Sequence, residues 1–189
     1  VINFYYSDKT MDFRGVFPIL VTPFLPDQSV DLKSVKTLVN LMREIKVNGI
    51  TILGVLGEAN RLTDNERTSV IRATVEAAGD LQVIVGTSTA STSSTCALSH
   101  TAEKLGASAV MVTPHSDPTL SDEKVVHHFK AIADSITIPI VLQDHPASSG
   151  VKMQSNLILE MIEGIPSIAC IKEEALPTAP KILELKKRM

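Results

Sequence analysis

The sequence contains no tryptophan and only two cysteines, Cys96 and Cys170, in 189 residues. Two cysteines build neither a disulfide framework nor a cysteine-based metal site, so we expect a reducing, cytoplasmic setting and no bound metal. No apolar run approaches the roughly 18 residues that cross a bilayer, so no membrane partner is expected. The formal net charge is −3 and the basic run at residues 186–188 is isolated, which argues against a nucleic-acid partner.

The composition and the length are typical of one folded domain. Hydrophobic residues make up 44% of the chain and charged residues 21%, a balance that excludes a disordered protein. Residues 1–10 have neither the basic start nor the apolar run of a signal peptide, and Met11 directly precedes the first patterned segment. We therefore predict an N-terminal arm or leader over residues 1–10 and one domain over residues 11–189.

Apolar runs and helical patterns alternate six times along the chain. The predicted strands are residues 15–22, 50–53, 81–85, 109–113, 138–142 and 168–171. A helical pattern follows each strand, and the helix after the second strand opens with a capping box from Thr63 to Glu66. The strands are continuous apolar runs rather than alternating ones, which indicates a parallel sheet buried on both faces. The repeat of about 30 residues is that of a βα unit.

Two architectures are consistent with this pattern: a doubly wound open sheet and a (β/α)8 barrel. No G-x-G-x-x-G motif follows the first predicted strand, where an open dinucleotide-binding fold would carry it. A barrel needs eight units and about 250 residues. We therefore predict an α/β fold, a (β/α)8 TIM barrel, of which about six βα units are present in this chain.

Lys172 is the sharpest candidate for a catalytic residue. It directly continues the apolar run 168–171, so its amine is expected at the carboxyl end of the sixth strand, where ligands bind in both architectures. Partial burial disfavours the charged ammonium and frees the amine to attack a carbonyl carbon and form a Schiff base. The alternative is a lysine whose amine reaches solvent.

A glycine-flanked turn follows the second predicted strand. It consists of Gly54, Val55, Leu56, Gly57 and Glu58. Its backbone amides could form a nest for a carboxylate or a phosphate. The alternative is an ordinary βα turn with Glu58 in solvent.

Two histidines follow predicted strands at the same edge of the sheet. His115 comes after the fourth strand and His145 after the fifth, positions where general acids and bases often lie. The alternative is that both are exposed loop residues. Cys170 shares the inward direction of Lys172 because the two are two residues apart, and we interpret it as a small core residue.

A set of short motifs occurs in a defined order from about Met11 to the C-terminus. The motifs are Gly15-Val16-Phe17, Val21-Thr22-Pro23-Phe24, Gly54-x-x-Gly57-Glu58, Leu62-Thr63, Glu66-Arg67, Val110-Met111-Val112-Thr113-Pro114, Pro139-Ile140-Val141-Leu142 and Ile171-Lys172-Glu173. In this order and at these spacings the sequence resembles the dihydrodipicolinate synthase / N-acetylneuraminate lyase family of class I, lysine-dependent aldolases. It resembles a C-terminally truncated member.

The resemblance implies a (β/α)8 barrel with a Schiff-base lysine at Lys172 and no cofactor. It implies a 2-oxo acid as the small-molecule partner, with the carboxylate held by backbone amides near Val55 and Leu56. It also implies a homo-oligomer, a tetramer in this family.

The sequence departs from the synthase pattern at the residues that move protons. Gln143 replaces the tyrosine at the end of strand five, and Val55-Leu56 replaces a threonine pair after strand two. His115-Ser116 stands where the family carries paired tyrosines, and Ser148 aligns with a carboxylate-binding arginine. Without the hydroxyl relay, synthesis of dihydrodipicolinate is not expected.

Three other segments resemble the 2-keto-3-deoxy sugar acid dehydratases, and most closely the 2-keto-3-deoxy-L-arabonate dehydratase type. They are residues 57–59, 143–146 and 177–181. We therefore predict a carbon–oxygen lyase that dehydrates a 2-keto-3-deoxy sugar acid, with catalytic residues Lys172, Gln143 and His145. His115 and the turn at 54–58 would bind substrate, and the proton carrier is left open among His145, His115 and Glu58. The alternatives are aldol or retro-aldol cleavage, synthase-like condensation with pyruvate, and a non-catalytic truncated remnant.

Overall fold

The computed structural model describes residues 2–3, 13–117 and 119–189. In these residues strands and helices alternate as an α/β fold. The strands are β1 (Ile2–Asn3), β2 (Gly49–Ile52), β3 (Gln82–Gly86), β4 (Ala109–Val112), β5 (Ile140–Asp144) and β6 (Ile168–Glu173). The helices are α1 (Leu32–Glu44), α2 (Asp64–Ala78), α3 (Thr92–Lys104), α4 (Asp122–Ser135), α5 (Pro146–Ser149), α6 (Ser155–Gly164) and α7 (Thr178–Arg188), with a 3₁₀ turn at Ala59–Arg61.

The strands form one sheet in the order β1-β6-β5-β4-β3-β2. Strands β2 to β6 run parallel to their neighbours, so the predicted parallel α/β architecture is confirmed. The short β1 pairs antiparallel with β6, with Ile2 opposite Ile171. Beyond Ile2–Asn3, the predicted N-terminal arm lies outside the described residues, and the domain boundary at residue 11 stays a prediction.

The first predicted strand, residues 15–22, is wrong as a regular strand. Ile19 makes an isolated parallel bridge with Thr51 of β2, and Thr51 donates to the carbonyl of Pro18 over 2.8 Å. Proline lacks the N–H that a strand contributes to a ladder, and Pro18 lies in the middle of this segment. The segment is therefore an extended chain bonded to β2 at a few points, and five of the six predicted βα strands are regular.

The helices begin where the side chains predict. The Asp31 carboxylate accepts a hydrogen bond from the Ser34 amide and caps α1. The capping box of α2 is confirmed, since Thr63 accepts from the Glu66 amide and Glu66 accepts from the Thr63 amide. Within the described ranges, no helix combines the length and the apolar character that a membrane crossing requires.

Both faces of the sheet are covered by apolar side chains. One face packs against the helices through buried residues such as Val39, Phe129 and Ile158. On the other face, Phe13 and its partly buried neighbour Phe17 pack with a smaller cluster whose other members are Ile84, Ala109, Met111, Val141, Ala169 and Cys170. The Phe13 and Phe17 ring centroids are 6.3 Å apart. A cavity of about 110 Å³ remains beside these rings, and Lys172 is part of its wall.

A close backbone approach at the end of β3 requires glycine. A Cβ built on Gly86 would lie 2.2 Å from the Leu53 carbonyl oxygen, which is backbone and cannot rotate away. We expect Gly86→Ala to lower the free energy of unfolding by about 3 kcal/mol or more. Urea denaturation measures this change. In the control Gly164→Ala, an added Cβ meets nothing within 4 Å, and a loss as large as that of Gly86→Ala would contradict the prediction.

Candidate active site

The carboxyl ends of β5 and β6 bring three polar side chains together. Gln143 on β5 is the register partner of Lys172 on β6. The Lys172 Nζ lies 2.8 Å from Oε2 of Glu174, and the Gln143 amide donates to the same oxygen over 2.6 Å. The Lys172 side chain is 22% exposed, so it is largely buried at the carboxyl ends of the strands and does not extend into open solvent. The structure thus places two of the predicted catalytic residues on one carboxylate.

Glu174 lies in the strand-end segment 172–174 that the sequence singles out, but the sequence interpretation gave it no role. Burial alone would raise the pKa of the Glu174 carboxyl, but hydrogen bonds from Gln143 and Lys172 outweigh burial and lower the pKa below its ordinary value. Glu174 is therefore ionised at neutral pH and can accept a proton. The available signal was spacing: Glu174 lies two residues after Lys172, and alternate residues of an extended chain point to the same side.

The glycine-flanked turn follows β2, at the carboxyl ends of the parallel strands. The Gly57 and Glu58 amides donate to the carbonyls of Gly54 and Val55, and the buried Thr22 hydroxyl donates to the Gly57 carbonyl over 2.7 Å. In the described residues, the Val55 and Leu56 amides make no hydrogen bond. Two fixed and unpaired N–H groups are what a nest for a carboxylate needs.

Glu58 pairs with a neighbouring arginine, whereas Lys172 pairs with Glu174. The Glu58 φ of 54° is left-handed, and its carboxylate pairs with Arg61 over 2.7 Å. The side chain is 41% exposed. These contacts favour the solvated alternative for Glu58 and leave the backbone as the functional part of this turn.

His145 lies near the Glu174 carboxylate but is hydrogen-bonded elsewhere. It precedes α5 as the N-cap residue, and its Nδ1 is 2.6 Å from the Ser148 hydroxyl. The charge of His145 is one of the smaller influences that lower the pKa of Glu174. The short helix α5 begins directly after His145.

His115 packs against a helix rather than against Lys172. Its ring meets His128 of α4 edge to face, with centroids 5.0 Å apart. Burial, and after it the neighbouring charge of His115, lower the pKa of His128 to about 4, so His128 is neutral and serves packing. His115 also lines a large cavity of about 770 Å³, where a ligand could meet it.

Two further residues near the strand ends belong to the core. Burial raises the pKa of the Cys170 thiol to about 12, so it stays protonated and is not a nucleophile. Thr87 is fully buried, and its hydroxyl accepts a hydrogen bond from Ser99 over 2.8 Å.

Two adjoining cavities extend from the site. A cavity of about 210 Å³ is lined by Gln143 and Val55. It shares wall residues with the cavity of about 770 Å³, and these are Asn60, Ser88, Thr113 and Ser148. Hydroxyl groups dominate the larger cavity, from Thr68, Ser88, Thr89, Ser94, Thr101, Thr113, Ser116, Ser148 and Ser149. In the part of the chain that the structure describes, no group of three or more His, Cys, Asp or Glu residues could hold a metal ion.

Comparisons with known proteins point to one family. The model of the "Dihydrodipicolinate synthetase family" matches residues 12–189. The 4-hydroxy-tetrahydrodipicolinate synthase of Desulforamulus reducens is 32% identical over 168 residues, which are 88% of this chain and 57% of that protein.

Solved structures of the same family match the fold of this chain. The dihydrodipicolinate synthase of Rhodopseudomonas palustris matches with a TM-score of 0.84 and 32% identity, covering 92% of this chain and 58% of that chain. The chloride-inhibited enzyme of Acinetobacter baumannii, complexed with pyruvate, matches with a TM-score of 0.86 and 31% identity, covering 94% and 62%. The chain therefore spans about 60% of the length of these proteins.

Proposed function

Because the chain belongs to the dihydrodipicolinate synthetase family, we propose that it is a Schiff-base-forming lyase that acts on a 2-oxo acid. The observation that carries the proposal is the pair of hydrogen bonds on Glu174, from the Lys172 ammonium at 2.8 Å and the Gln143 amide at 2.6 Å. They set a nucleophile beside a base at the carboxyl end of the sheet. The relative from A. baumannii binds pyruvate, itself a 2-oxo acid.

The first step forms an imine. Glu174 accepts a proton from the Lys172 ammonium, and the freed amine attacks C2 of the 2-oxo acid. The carbonyl oxygen leaves as water after taking one proton from the amine nitrogen and one from Glu174, which is ionised again. The carbon–nitrogen double bond remains as a protonated imine. The Val55 and Leu56 amides would hold the substrate carboxylate during this step. The lysine itself supplies the electron sink, so the proposal needs no cofactor.

The second step decides the product. Glu174 removes a proton from C3, and the electron pair moves through the C2 carbon onto the imine nitrogen to give an enamine. The enamine electrons then form a C3–C4 double bond and expel the C4 hydroxyl, which leaves as water after taking a proton from Glu174. Hydrolysis of the imine returns the Lys172 amine. The net change is loss of one water from a 2-keto-3-deoxy sugar acid.

Two features of the site favour dehydration over condensation. By the family resemblance, Gln143 offers an amide where the synthases have a tyrosine hydroxyl, so the proton relay for condensation is absent. The Gln143 amide instead donates a hydrogen bond that orients Glu174. The hydroxyl-lined cavities suit the hydroxylated tail of a sugar acid. Gln143 lines the smaller cavity and His115 lines the larger one. His145 would adjust the charge at Glu174.

The relatives carry the synthase name, and condensation or aldol cleavage with pyruvate is the alternative. A homo-oligomer, implied by the family resemblance, is part of the proposal.

Steady-state kinetics with two substrate sets test the substrate class. We expect kcat/KM for dehydration of 2-keto-3-deoxy-L-arabonate to exceed that for condensation of pyruvate with aspartate semialdehyde by about 100-fold or more. Faster condensation would assign the chain to the synthases. Turnover of neither substrate set would favour the non-catalytic alternative.

A further inference from the structure

A second polar cluster lies behind the candidate site, on the opposite side of the same two strands. Asp144 follows Gln143 on β5, Glu173 follows Lys172 on β6, and the two are register partners. Because successive residues of a strand point to opposite faces, Asp144 and Glu173 point away from the site. They meet Lys181 of α7, which the mechanism does not use.

These three side chains are withdrawn from solvent and joined by direct contacts. The Asp144 and Glu173 side chains are completely buried, and that of Lys181 is 15% exposed. The Lys181 Nζ contacts Oδ2 of Asp144, donates to the Met153 carbonyl over 2.7 Å and lies 3.5 Å from Oε2 of Glu173. The Ala175 amide donates to the other Glu173 oxygen over 2.7 Å. The cluster therefore ties α7 to the ends of both strands.

The charges of the cluster balance only with one added proton. Two ionised carboxylates against one ammonium would leave a buried net charge of −1, which is costly. One oxygen of each carboxyl, Asp144 Oδ1 and Glu173 Oε2, is buried without a hydrogen-bond partner in the described residues. A single proton on the carboxyl pair would make the cluster neutral and turn one of these oxygens into a donor.

The surroundings of Glu173 agree with a retained proton. Burial, foremost, and the Asp144 carboxylate raise the pKa of Glu173 to about 7, against the lowering effects of the Ala175 amide and the Lys181 ammonium. Among the described residues, the charged groups that act on Glu173 are Asp144 from β5 and Lys181 from α7.

We propose that Asp144, Glu173 and Lys181 share one proton in a neutral buried cluster, and that Lys181 is thereby a positioning residue for Lys172 and Glu174. The cluster fixes α7 against β5 and β6 directly behind the catalytic pair. The contacts and burial of the three side chains support the shared proton without reference to function. The positioning role, in contrast, rests on the proposed function. Loss of the proton leaves an uncompensated buried charge, loosens α7 and misplaces the Lys172 amine.

The pH dependence of unfolding tests the shared proton. A carboxyl whose pKa is higher in the folded state than in the unfolded state stabilises the fold at low pH, and this stabilisation is lost as pH rises through the folded pKa. We expect the urea midpoint of the wild-type chain to fall between about pH 5 and about pH 8. Glu173→Gln, which is neutral throughout, should lose most of this slope. Equal slopes in the two proteins would overturn the shared proton.

The rate of adduct formation with pyruvate and borohydride tests the positioning role. We expect Lys181→Met to slow trapping at Lys172 by about 10- to 100-fold, because a small misplacement of a reacting group has a large effect on rate. Lys187→Met, on the exposed face of the same helix, is the matched control and should trap at the wild-type rate. Equal rates in the two variants would overturn the role of Lys181.

A charge-balanced double variant separates a charge effect from a folding defect. Lys181→Met alone leaves the Asp144 carboxylate buried without its cation, so it can unfold the chain. Adding Asp144→Asn removes that charge and should restore a cooperative urea transition. Failure to restore it would contradict the charge balance. If the wild-type chain forms no adduct, the proposed function fails and the positioning role fails with it. The pH dependence of the urea midpoints still tests the shared proton in that case.

Discussion

Replacing Lys172 with methionine is expected to abolish covalent capture of pyruvate and to lower turnover by about 10⁴-fold or more, because no other group of the site can form the imine. Borohydride in the presence of pyruvate reduces the imine to a stable amine. Intact-mass measurement should then show one reduced pyruvyl group on the wild-type chain, and peptide mapping should place it on Lys172. The Lys172→Met chain should show no added mass.

Lys152 provides the matched control for this experiment. It is an exposed lysine outside the site, and Lys152→Met should be captured as the wild-type chain is. An adduct on Lys152 or on Lys124 instead of Lys172 would contradict the assignment of the nucleophile. Absence of any adduct on the wild-type chain would favour a protein without Schiff-base chemistry.

Replacing Glu174 with glutamine is expected to uncouple imine formation from proton transfer. The amide has nearly the same shape as the carboxylate but cannot accept a proton at neutral pH. We expect the exchange of pyruvate methyl protons with deuterated water, followed by NMR, to slow by about 10²- to 10⁴-fold. Borohydride trapping should persist at a lower rate, since Lys172 is still present.

The control for this variant is Glu160→Gln, an exposed carboxylate on α6, which should exchange protons at the wild-type rate. The pH profile gives a second readout. Because the pKa of Glu174 is lowered, exchange should hold at neutral pH and decline only at acid pH. Undiminished exchange in Glu174→Gln would move the role of base to another residue, with His145 the nearest candidate.

The sequence predicted the five regular parallel strands because each is a short apolar run that ends in a glycine, a proline or a polar residue. It placed Lys172 at the sheet edge for the same reason. It was wrong about residues 15–22, because the apolar run indicates burial, whereas Pro18 within it has no N–H for a regular ladder. It gave Glu174 no role, because the direction of a side chain just beyond a strand depends on where the strand ends, and β6 extends to Glu173.

The sequence also could not predict the contact between Lys181 and Asp144 behind the site. Lys181 and Asp144 are 37 residues apart, and only the packing of α7 against β5 brings them together. The contact of His115 with His128 is similar, because it joins a loop to the buried side of α4. The substrate subgroup stays a proposal, since sequence motifs favour a dehydratase whereas the relatives from D. reducens and R. palustris carry the synthase name.

The division of the site between two groups of elements has a consequence for how this protein could diversify. The lysine and its base come from β6 and the residue that follows it. The large hydroxyl-lined cavity is built mostly by α2, α3 and the loops after β3 and β4, with Ser148 and Ser149 of α5 in its wall. Changes at residues such as Ser94 or Thr101 can alter the length and the stereochemistry of an accepted tail without moving the Lys172 amine. Under the proposed function, the reaction and the choice of substrate could therefore change largely independently, and one imine-forming edge could serve a series of related acids.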